Sequence, residues 1–416
     1  MEEKGMGADM RITLVIPSYW GRRTGEPFNP EDAVYDHPTP LDAEGTLARA
    51  LESIRILRYR HFRVLVLGVA AHPDLEEEVE GRLREIVAPF RRHFPVALLS
   101  HSHHRDMKNI MEDIGKGEFA SMLSLRGYSH IRNYCLVAAC LDGAEAAVLF
   151  DDDEVYEDPH YLEKVAEVLG SEYRGRFVGG LAGYYVNPDG GYLLPRSADW
   201  VFAEWPAAEY MNRAFTIIEV GERLKPTPWV FGGNMCIHRE LFTRVAFDPR
   251  VTRGEDIDYL INARFLGYDF FLDNTLWIRH FPPPKTAPLW RRFREDLDRF
   301  IYTREKLRSQ EAVEGCRRVE VEELDPYPGR FLRDDLEDMI FRTCVLMALD
   351  YLSRKDELGF AESMANLLRA RAGHPASRNP FREYLDWRRR WEELMRFLAR
   401  EEKLQRYVQS LYDWAW

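Results

Sequence analysis

The sequence is poor in cysteine and contains no long apolar run. Five cysteines in 416 residues are odd in number and show no metal-ligand spacing, so we expect free thiols in a reducing cytoplasm rather than a disulfide framework. No apolar stretch approaches the roughly 20 residues that a membrane-spanning helix needs. The acidic amino terminus also lacks the apolar core of a secretory signal. The sequence therefore predicts a cytoplasmic protein without stable membrane insertion.

The chain also lacks an excess of positive charge. It has 57 Lys and Arg against 69 Asp and Glu, which gives a formal net charge of −12. Because a general nucleic-acid binder is usually basic, no nucleic-acid partner is expected. With 45% hydrophobic and 30% charged residues, the composition is that of an ordinary globular protein. The length permits one large domain and a smaller one.

The most informative stretch is residues 145–155, where a short apolar run is followed by three aspartates. Residues 147–150 are predicted to form a buried strand, and the acidic residues that follow it are Asp151, Asp152 and Asp153. Unbroken hydrophobics are typical of a strand covered on both faces. Carboxylates at its carboxyl end lie where open α/β sheets bind ligands, and oxygen ligands favour Mg²⁺ or Mn²⁺. An acidic turn before a helix is the structural alternative.

Strand and helix patterns alternate along the first 285 residues. The predicted strands are 11–16, 62–69, 96–99, 147–150, 177–186, 229–237 and 269–278, and the predicted helices are 41–58, 74–87, 129–141, 238–245 and 253–266. This order predicts an α/β fold with a mostly parallel, doubly wound sheet. The segments 20–40, 101–108 and 187–228 are predicted to be loops or irregular. Paired glycines at 232–233 interrupt one predicted strand, which often marks close approach of a ligand or another backbone.

Beyond residue 285 the strand pattern almost disappears and charged amphipathic helices predominate. Helices are predicted at 334–352 and 360–371, and one long helix with an apolar stripe at 381–412. The stripe is expected to pack on the preceding domain, and a dimer seam is the alternative. We therefore divide the chain into a disordered segment 1–10, an α/β domain 11–285 and a helical domain 286–416.

Six short motifs in the first 285 residues together resemble the family 2 glycosyltransferases of GT-A fold. In chain order they are Val15-Ile16-Pro17-Ser18-Tyr19, Ile131-Arg132-Asn133, Asp151-Asp152-Asp153, Phe231-Gly232-Gly233-Asn234, Gly254-Glu255-Asp256 and His280. The resemblance implies that residues 11–285 are a GT-A catalytic domain. It also implies transfer of a sugar from a UDP- or GDP-sugar to an acceptor hydroxyl.

The resemblance implies a role for each motif. Asp151, Asp153 and His280 would ligate Mg²⁺ or Mn²⁺, which neutralises the charge on a departing diphosphate. Glu255 and Asp256 would face the acceptor hydroxyl, which needs a carboxylate within hydrogen-bond reach. The expected nucleotide contacts are Pro17, Ser18, Tyr19, Arg132, Asp151 and Asp152, and the expected substrate contacts are Gly232, Gly233 and Asn234.

Two features depart from the family pattern and leave alternatives open. Residues 68–74 replace the acidic residues that often follow the second strand and read the base, and the tail is helical. Both features look more like retaining enzymes of the mannosylglycerate synthase type, so inversion and retention stay open. Residues 148–155 also fit the first motif of haloacid-dehalogenase-type phosphatases. A non-catalytic sugar-binding protein is the third alternative.

The acceptor is predicted to be small and soluble, because no basic amphipathic face lies beside the site in the sequence. The aromatic residues Trp200, Trp205, Tyr210 and Trp229 suit stacking against sugar rings, and the arginines Arg196, Arg213 and Arg223 suit binding of a carboxylate or phosphate. We expect the proline-rich segment 281–289 to be a mobile lid, with Lys285, Arg291 and Arg292 reaching the diphosphate. Association of two copies through the C-terminal helices is a further expectation.

Overall fold

The computed structural model describes residues 10–27, 29, 31–195, 200–283, 287–372 and 379–413. The strands are β1 (Ile12–Gly21), β2 (Thr39–Pro40), β3 (Phe62–Ala70), β4 (Val96–Leu99), β5 (Ala146–Leu149), β6 (Glu154–Val155), β7 (Glu172–Tyr173), β8 (Arg176–Phe177), β9 (Gly180–Val186), β10 (Leu224–Pro226), β11 (Met235–His238) and β12 (Phe270–His280). The α-helices are α1 (Leu47–Ile54), α2 (Glu76–Val87), α3 (His101–Asp113), α4 (Gly117–Ala120), α5 (Tyr128–Leu141), α6 (Tyr161–Val168), α7 (Ala207–Phe215), α8 (Arg239–Phe242), α9 (Glu255–Phe265), α10 (Leu289–Arg308), α11 (Leu336–Ser353), α12 (Glu357–Ala372), α13 (Pro380–Leu398) and α14 (Glu402–Asp413).

Ten of these strands form one mixed sheet in which parallel pairing prevails. The order is β10-β12-β9-β11-β5-β1-β3-β4, with β2 beside β1 and β6 beside β12. The strand β1 runs parallel to both β3 and β5, whereas β11 is antiparallel to both of its neighbours. The predicted α/β class and mostly parallel sheet are confirmed, and β11 is the central exception.

Helices cover both faces of the sheet, as the prediction of a doubly wound fold requires. The side chain of Val15 belongs to a hydrophobic cluster with α3, α5 and α9. Its neighbours Leu14 and Ile16 belong to a second cluster with α1, α2 and α6. Alternate residues of β1 therefore enter two cores, which explains why the strand is apolar throughout.

The predicted end of the first strand at residue 16 is wrong, because β1 continues through Pro17 and pairs with β3 as far as Trp20. The neighbouring strand β5 ends beside Val15, whose carbonyl accepts from the N–H of Phe150. In a strand, residues two apart point their backbone groups to the same side. Pro17 thus faces the side of β1 on which β5 has already ended, so its missing N–H removes no ladder bond.

Three further boundaries differ from the prediction. The histidine-rich segment 101–108 belongs to α3, because the buried Glu80 carboxylate accepts from the Ser102 N–H (3.2 Å) and hydroxyl (2.7 Å) and stabilises the first turn. The segment 187–228 contains α7 and β10. The predicted strand 229–237 is a strand only from Met235, and the paired glycines lie in the turn before it.

The predicted long helix over residues 381–412 is two helices, α13 and α14, separated at residues 399–401. Its apolar stripe is buried, namely Leu385, Trp391, Leu394, Met395, Leu398, Leu404, Val408 and Leu411. The Trp391 indole donates to the carbonyl of Phe242 at 2.9 Å. The stripe therefore packs on the α/β part as predicted, and the alternative of a dimer seam along it is wrong. The domain boundary at residue 285 stays a prediction.

No helix in the described ranges is both long enough and apolar enough to cross a membrane.

A buried ion cluster joins α10 to the α/β part. The Lys306 ammonium is fully buried, 2.6 Å from an Asp248 oxygen and 2.7 Å from an Asp258 oxygen. It also donates to the amide oxygen of Asn262 at 3.3 Å, and the Tyr302 hydroxyl donates to Asp248 at 2.9 Å. Such hydrogen bonds offset the cost of burying the charges. Because Asp258 belongs to α9, the cluster fixes α9 against α10.

Replacing Lys306 by methionine should lower the free energy of unfolding by about 3–5 kcal/mol, because two buried carboxylates would lose their cation. Urea unfolding followed by circular dichroism measures the change. Lys403→Met is the control, since Lys403 is exposed on α14 and surface changes usually stay within about 0.5 kcal/mol. Equal stabilities of the two variants would show that the cluster does not hold α10 in place.

Candidate active site

A cleft of about 1250 Å³ lies at the carboxyl edge of the sheet. Its walls come from the ends of β1 and β12, the three aspartates after β5, and the amino-terminal parts of α9 and α10. The carboxyl edge is where open α/β sheets bind their ligands, so the cleft is the candidate active site.

The cleft brings together most of the predicted site residues. Those that line it are Tyr19, Arg132, Asp151, Asp152, Asp153, Gly232, Glu255, Asp256 and His280. Pro17, Ser18, Gly233 and Asn234 are not part of its lining. Ser18 is buried and donates to Asp152 at 2.6 Å. The buried Asn234 amide donates to the Tyr184 carbonyl at 3.0 Å and accepts from the Tyr161 hydroxyl. Ser18 and Asn234 thus support the wall from behind.

Arg132 is the cation at the centre of the site. Its guanidinium is 4% exposed and forms two hydrogen bonds to Asp151, at 2.8 and 3.0 Å. Its Nε donates to Glu255 at 3.3 Å. Burial opposes the charge, but the Asp151 carboxylate and its neighbours outweigh burial and raise the pKa of Arg132. Asp151 is therefore occupied by Arg132, and only its remaining lone pairs can face a metal.

The other two aspartates differ in their surroundings. Burial and the adjacent Asp153 carboxylate raise the pKa of Asp152 to about 8. Burial also favours the neutral form of Asp153, but the hydrogen bond with His280 outweighs it and lowers the pKa of Asp153. One oxygen of Asp152 is held by Ser18 behind the wall, whereas Asp153 presents an ionised carboxylate beside a histidine.

Asp153 and His280 form the pair that fits a divalent metal. The Asp153 oxygen lies 3.3 Å from His280 Nε2, and antiparallel pairing of His280 with Glu154 brings the two side chains together. No group of three His, Cys, Asp or Glu side chains with metal-binding geometry occurs among the described residues. A metal that keeps positions for substrate phosphates commonly uses only one or two protein carboxylates. The donor set therefore fits a metal shared between the protein and a diphosphate.

Tyr185 belongs to the site although the sequence pattern does not single it out. Its ring stacks on Phe231 with centroids 4.2 Å apart and packs against His280 at 4.6 Å. Its hydroxyl accepts from the Gly233 N–H at 3.1 Å. Tyr185 thus holds the imidazole of His280 from one side. A tyrosine at the end of β9 is ordinary in sequence, and only the pairing of β9 with β12 reveals its role.

Glu255 and Asp256 begin α9 and also line the cleft. Burial and the neighbouring Asp256 raise the pKa of Glu255 to about 7, and Glu255 is bonded to Arg132. Asp256 accepts from the N–H groups of Gly232 (3.0 Å) and Ile257 (2.8 Å). Burial raises the pKa of Asp256, although these bonds work against it. A positioned carboxylate with a raised pKa is better suited to accept a proton near neutral pH.

Gly254, which precedes this pair, has a positive φ of 70°. An added Cβ would overlap the guanidinium of Arg299, which reaches the site from α10. Glycine here therefore allows both the left-handed turn and the close approach of Arg299.

The residues predicted to bind the acceptor are only partly in the cleft. Trp200 and Trp205 line it, whereas Trp229 is buried and Tyr210 packs against Phe331. Arg213 pairs with Glu209, Arg223 pairs with Asp273 and Glu167, and neither lines the cleft. Arg196 lies outside the described residues. The arginines that do line the cleft besides Arg132 are Arg253, Arg292 and Arg299.

The predicted lid is described only in part. Lys285 falls outside the described residues, whereas Arg291 and Arg292 lie in the first turn of the regular helix α10. Arg292 lines the cleft and Arg291 does not. His37, from the loop after β1, also lines the cleft and lies close enough to Asp153 to help lower its pKa. Whether the segment before α10 closes over the cleft stays a prediction.

No known protein-family model matches the chain, and no curated protein matches it. Among solved structures it is similar to the mannosyltransferase PcManGT from Pyrobaculum calidifontis in complex with GDP-Man and Mn²⁺. The two sequences are 16% identical, the comparison covers 98% of this chain and 88% of that chain, and the TM-score is 0.43. It is also similar to a mycobacterial protein, with 18% identity, 70% and 73% covered, and a TM-score of 0.38. Similarities this low assign no function to the chain.

Gly233→Ala should destabilise the protein by about 1–3 kcal/mol, because an added Cβ would overlap the Glu154 carboxylate. Gly81→Ala is the matched control. Gly81 lies inside α2 with no atom within 4 Å of an added Cβ, so alanine there should stabilise by about 0.5–1 kcal/mol. Chemical unfolding of both variants measures the difference. Similar effects at the two positions would contradict the packing at Gly233.

Proposed function

We propose that the protein is a metal-dependent glycosyltransferase of the GT-A type, which moves a sugar from a nucleotide-diphosphate sugar to an acceptor hydroxyl. The observation that supports it is one cleft with two kinds of acidic group. The ionised Asp153 lies beside His280, and the buried Asp256 with its raised pKa lies at the start of α9. The two groups thus offer a diphosphate–metal site and a proton acceptor in one cleft.

On the donor side, Asp153 and His280 would hold Mg²⁺ or Mn²⁺, which supplies charge neutralisation for the departing diphosphate. Tyr185 keeps the imidazole of His280 in place. Arg132 lies beside the diphosphate position, and its two bonds to Asp151 keep it from swinging into the cleft. The ring of Tyr19 lines the same wall and is the proposed contact for the nucleoside, which would be uridine or guanosine.

On the acceptor side, Asp256 is the proposed base. The N–H groups of Gly232 and Ile257 fix both of its oxygens, which orients a carboxylate for one hydroxyl. Glu255 is held by Arg132 and serves to position that guanidinium. In a retaining reaction of the mannosylglycerate synthase type, Asp256 would orient the acceptor instead of deprotonating it.

The two other functions considered are weaker. A haloacid-dehalogenase-type phosphatase would need Asp151 as a free nucleophile, but both oxygens of Asp151 accept hydrogen bonds from Arg132. A sugar-binding protein without catalysis would use the aromatic wall of Trp200 and Trp205 and would not need Asp256. An Asp256 variant that still binds nucleotide but no longer transfers sugar would support an enzyme over a sugar-binding protein.

The proposal predicts that Mn²⁺ together with GDP or UDP raises the unfolding temperature more than Mn²⁺ alone. A ligand at 100 times its dissociation constant stabilises the folded state by about 2.7 kcal/mol. Asp153→Ala should abolish this nucleotide-dependent shift and leave the circular dichroism spectrum unchanged. Thermal unfolding with GDP, UDP and ADP in parallel measures the effect.

Asp256→Asn is the matched control within the same cleft. It should keep the shift with Mn²⁺ and nucleotide but lose sugar transfer, measured as radiolabel moved from donor to acceptor. If Asp153→Ala still turns over with unchanged dependence on metal, the metal site is assigned to the wrong residues. If no nucleotide shifts the wild-type protein, the proposed function is wrong.

We further propose that two copies associate through the C-terminal helices, at a surface other than the predicted one. Eleven large hydrophobic residues are exposed in the described ranges, and seven of them lie on α11 and α12, namely Phe341, Leu349, Leu352, Leu358, Phe360, Met364 and Leu368. An apolar face of this kind usually marks an interaction surface. Both helices also carry acidic and basic residues, which suits pairing with a second copy.

Leu349→Glu combined with Leu368→Glu should therefore produce a monomer at protein concentrations where the wild type is a dimer. Both side chains are at least half exposed, so the fold should be kept. Light scattering after size exclusion measures the mass, with Ile56→Glu as a control at an exposed residue outside α11 and α12. A wild-type monomer at all concentrations would refute the association.

A further inference from the structure

One wall of the cleft carries a row of alternating charges. Arg253 lies 3.1 Å from Asp36 and 3.7 Å from Asp296. Arg299 lies 3.2 Å from the same Asp296 and donates to the Tyr327 hydroxyl at 2.6 Å. Asp296 and Arg299 belong to α10, so the helical region contributes directly to the wall. Both guanidiniums in the row have partners within the protein.

Arg292 lines the same cleft but differs from these arginines. Within the part of the chain that the structure describes, its side chain has no ion pair and no hydrogen bond, and its Nε, like that of Arg299, is buried without a partner. A buried donor without an acceptor costs free energy that a bound acceptor would restore. Arg253 and Arg299, by contrast, are both paired with acidic side chains, so Arg292 is the guanidinium of this wall that can accept a further anion.

The position of Arg292 assigns it to the acceptor side of the cleft. Its backbone carbonyl accepts from the Arg253 guanidinium at 3.4 Å, and Arg253 directly precedes Gly254 and the Glu255–Asp256 pair. The proposed diphosphate–metal site, by contrast, is built from Asp153 and His280 at the ends of β5 and β12. An acceptor whose hydroxyl meets Asp256 would place its other substituents along the wall that contains Arg292.

We propose that Arg292 binds an anionic group of the acceptor, a carboxylate or a phosphate monoester. This inference rests on the proposed sugar transfer. A guanidinium presents parallel N–H donors that match the two oxygens of either anion. The acceptor is thus a hydroxy acid or a hydroxyalkyl phosphate, whose hydroxyl meets Asp256 while its anionic end meets Arg292.

The first experiment measures anion binding without any transfer. Inorganic phosphate and acetate are titrated separately in thermal unfolding of the full-length protein, with Mn²⁺ and the nucleotide that binds. One or both anions should stabilise the wild type, and Arg292→Gln should lose that shift. Arg294→Gln is the control, because Arg294 lies on the same helix but pairs with Glu362 and does not line the cleft. The anion that binds more tightly distinguishes a phosphate from a carboxylate acceptor.

The second experiment measures transfer to matched acceptors, namely glycerate, glycerol 3-phosphate and the neutral glycerol. Arg292→Gln should raise KM for the preferred anionic acceptor about tenfold or more, as expected for a hydrogen bond between charged groups. It should not change the KM for glycerol or the rise in unfolding temperature with Mn²⁺ and nucleotide. Arg292→Lys should restore part of the affinity for the anionic acceptor.

Three results would overturn the inference. In the first, Arg292→Gln leaves anion binding intact; in the second, it raises KM equally for charged and neutral acceptors. In the third, it abolishes the rise in unfolding temperature with nucleotide, which would assign Arg292 to the diphosphate as the sequence suggested. If sugar transfer itself fails for every acceptor, the anion titration still decides whether Arg292 is an anion site. The proposed function is tested separately: it is wrong if no nucleotide raises the unfolding temperature of the wild type.

Discussion

Six carboxylates crowd the carboxyl edge of the sheet, and their mutual repulsion is the constraint on which the site depends. They come from the two short segments 151–154 and 255–256. At an effective dielectric of about 20, two such charges 4 Å apart repel by about 4 kcal/mol. The protein reduces this cost in three ways. Arg132 bonds Asp151 and Glu255, burial favours the neutral form of several others, and Asp153 meets His280.

The close packing of these charged groups also explains why the two residues before Asn234 are glycines. An added Cβ at Gly232 would lie 2.6 Å from the Arg132 guanidinium, and one at Gly233 would overlap Glu154. The turn before β11 must therefore lie directly on the charged groups. Its backbone N–H groups then become hydrogen-bond donors to Asp256 and to the Tyr185 hydroxyl. The two glycines thus allow the backbone to lie against the charged side chains and to donate hydrogen bonds within the site.

The sequence was most informative where a function depends on consecutive residues. An apolar strand followed by three aspartates, and a helix that begins with Glu255 and Asp256, could be located because each signal is local. Tyr185 and His37 could not, since their places depend on pairing between β9 and β12 and on the path of a long loop. Arg292 was predicted to reach the substrate, but its place beside Arg253 depends on the packing of α10. The break at residues 399–401 was also missed, because both helices bury the same apolar stripe.

The helix α10 has two distinct tasks along its length. Arg292 is in its first turn, and Lys306 is 14 residues later, about 21 Å along the axis at 1.5 Å per residue. The buried end is locked to α9 by Asp258, whereas the other end lines the cleft. A lineage could therefore exchange side chains in the first turns of α10, and so change what the cleft binds, while the anchor at Lys306 and the Asp153–His280 pair remained as they were.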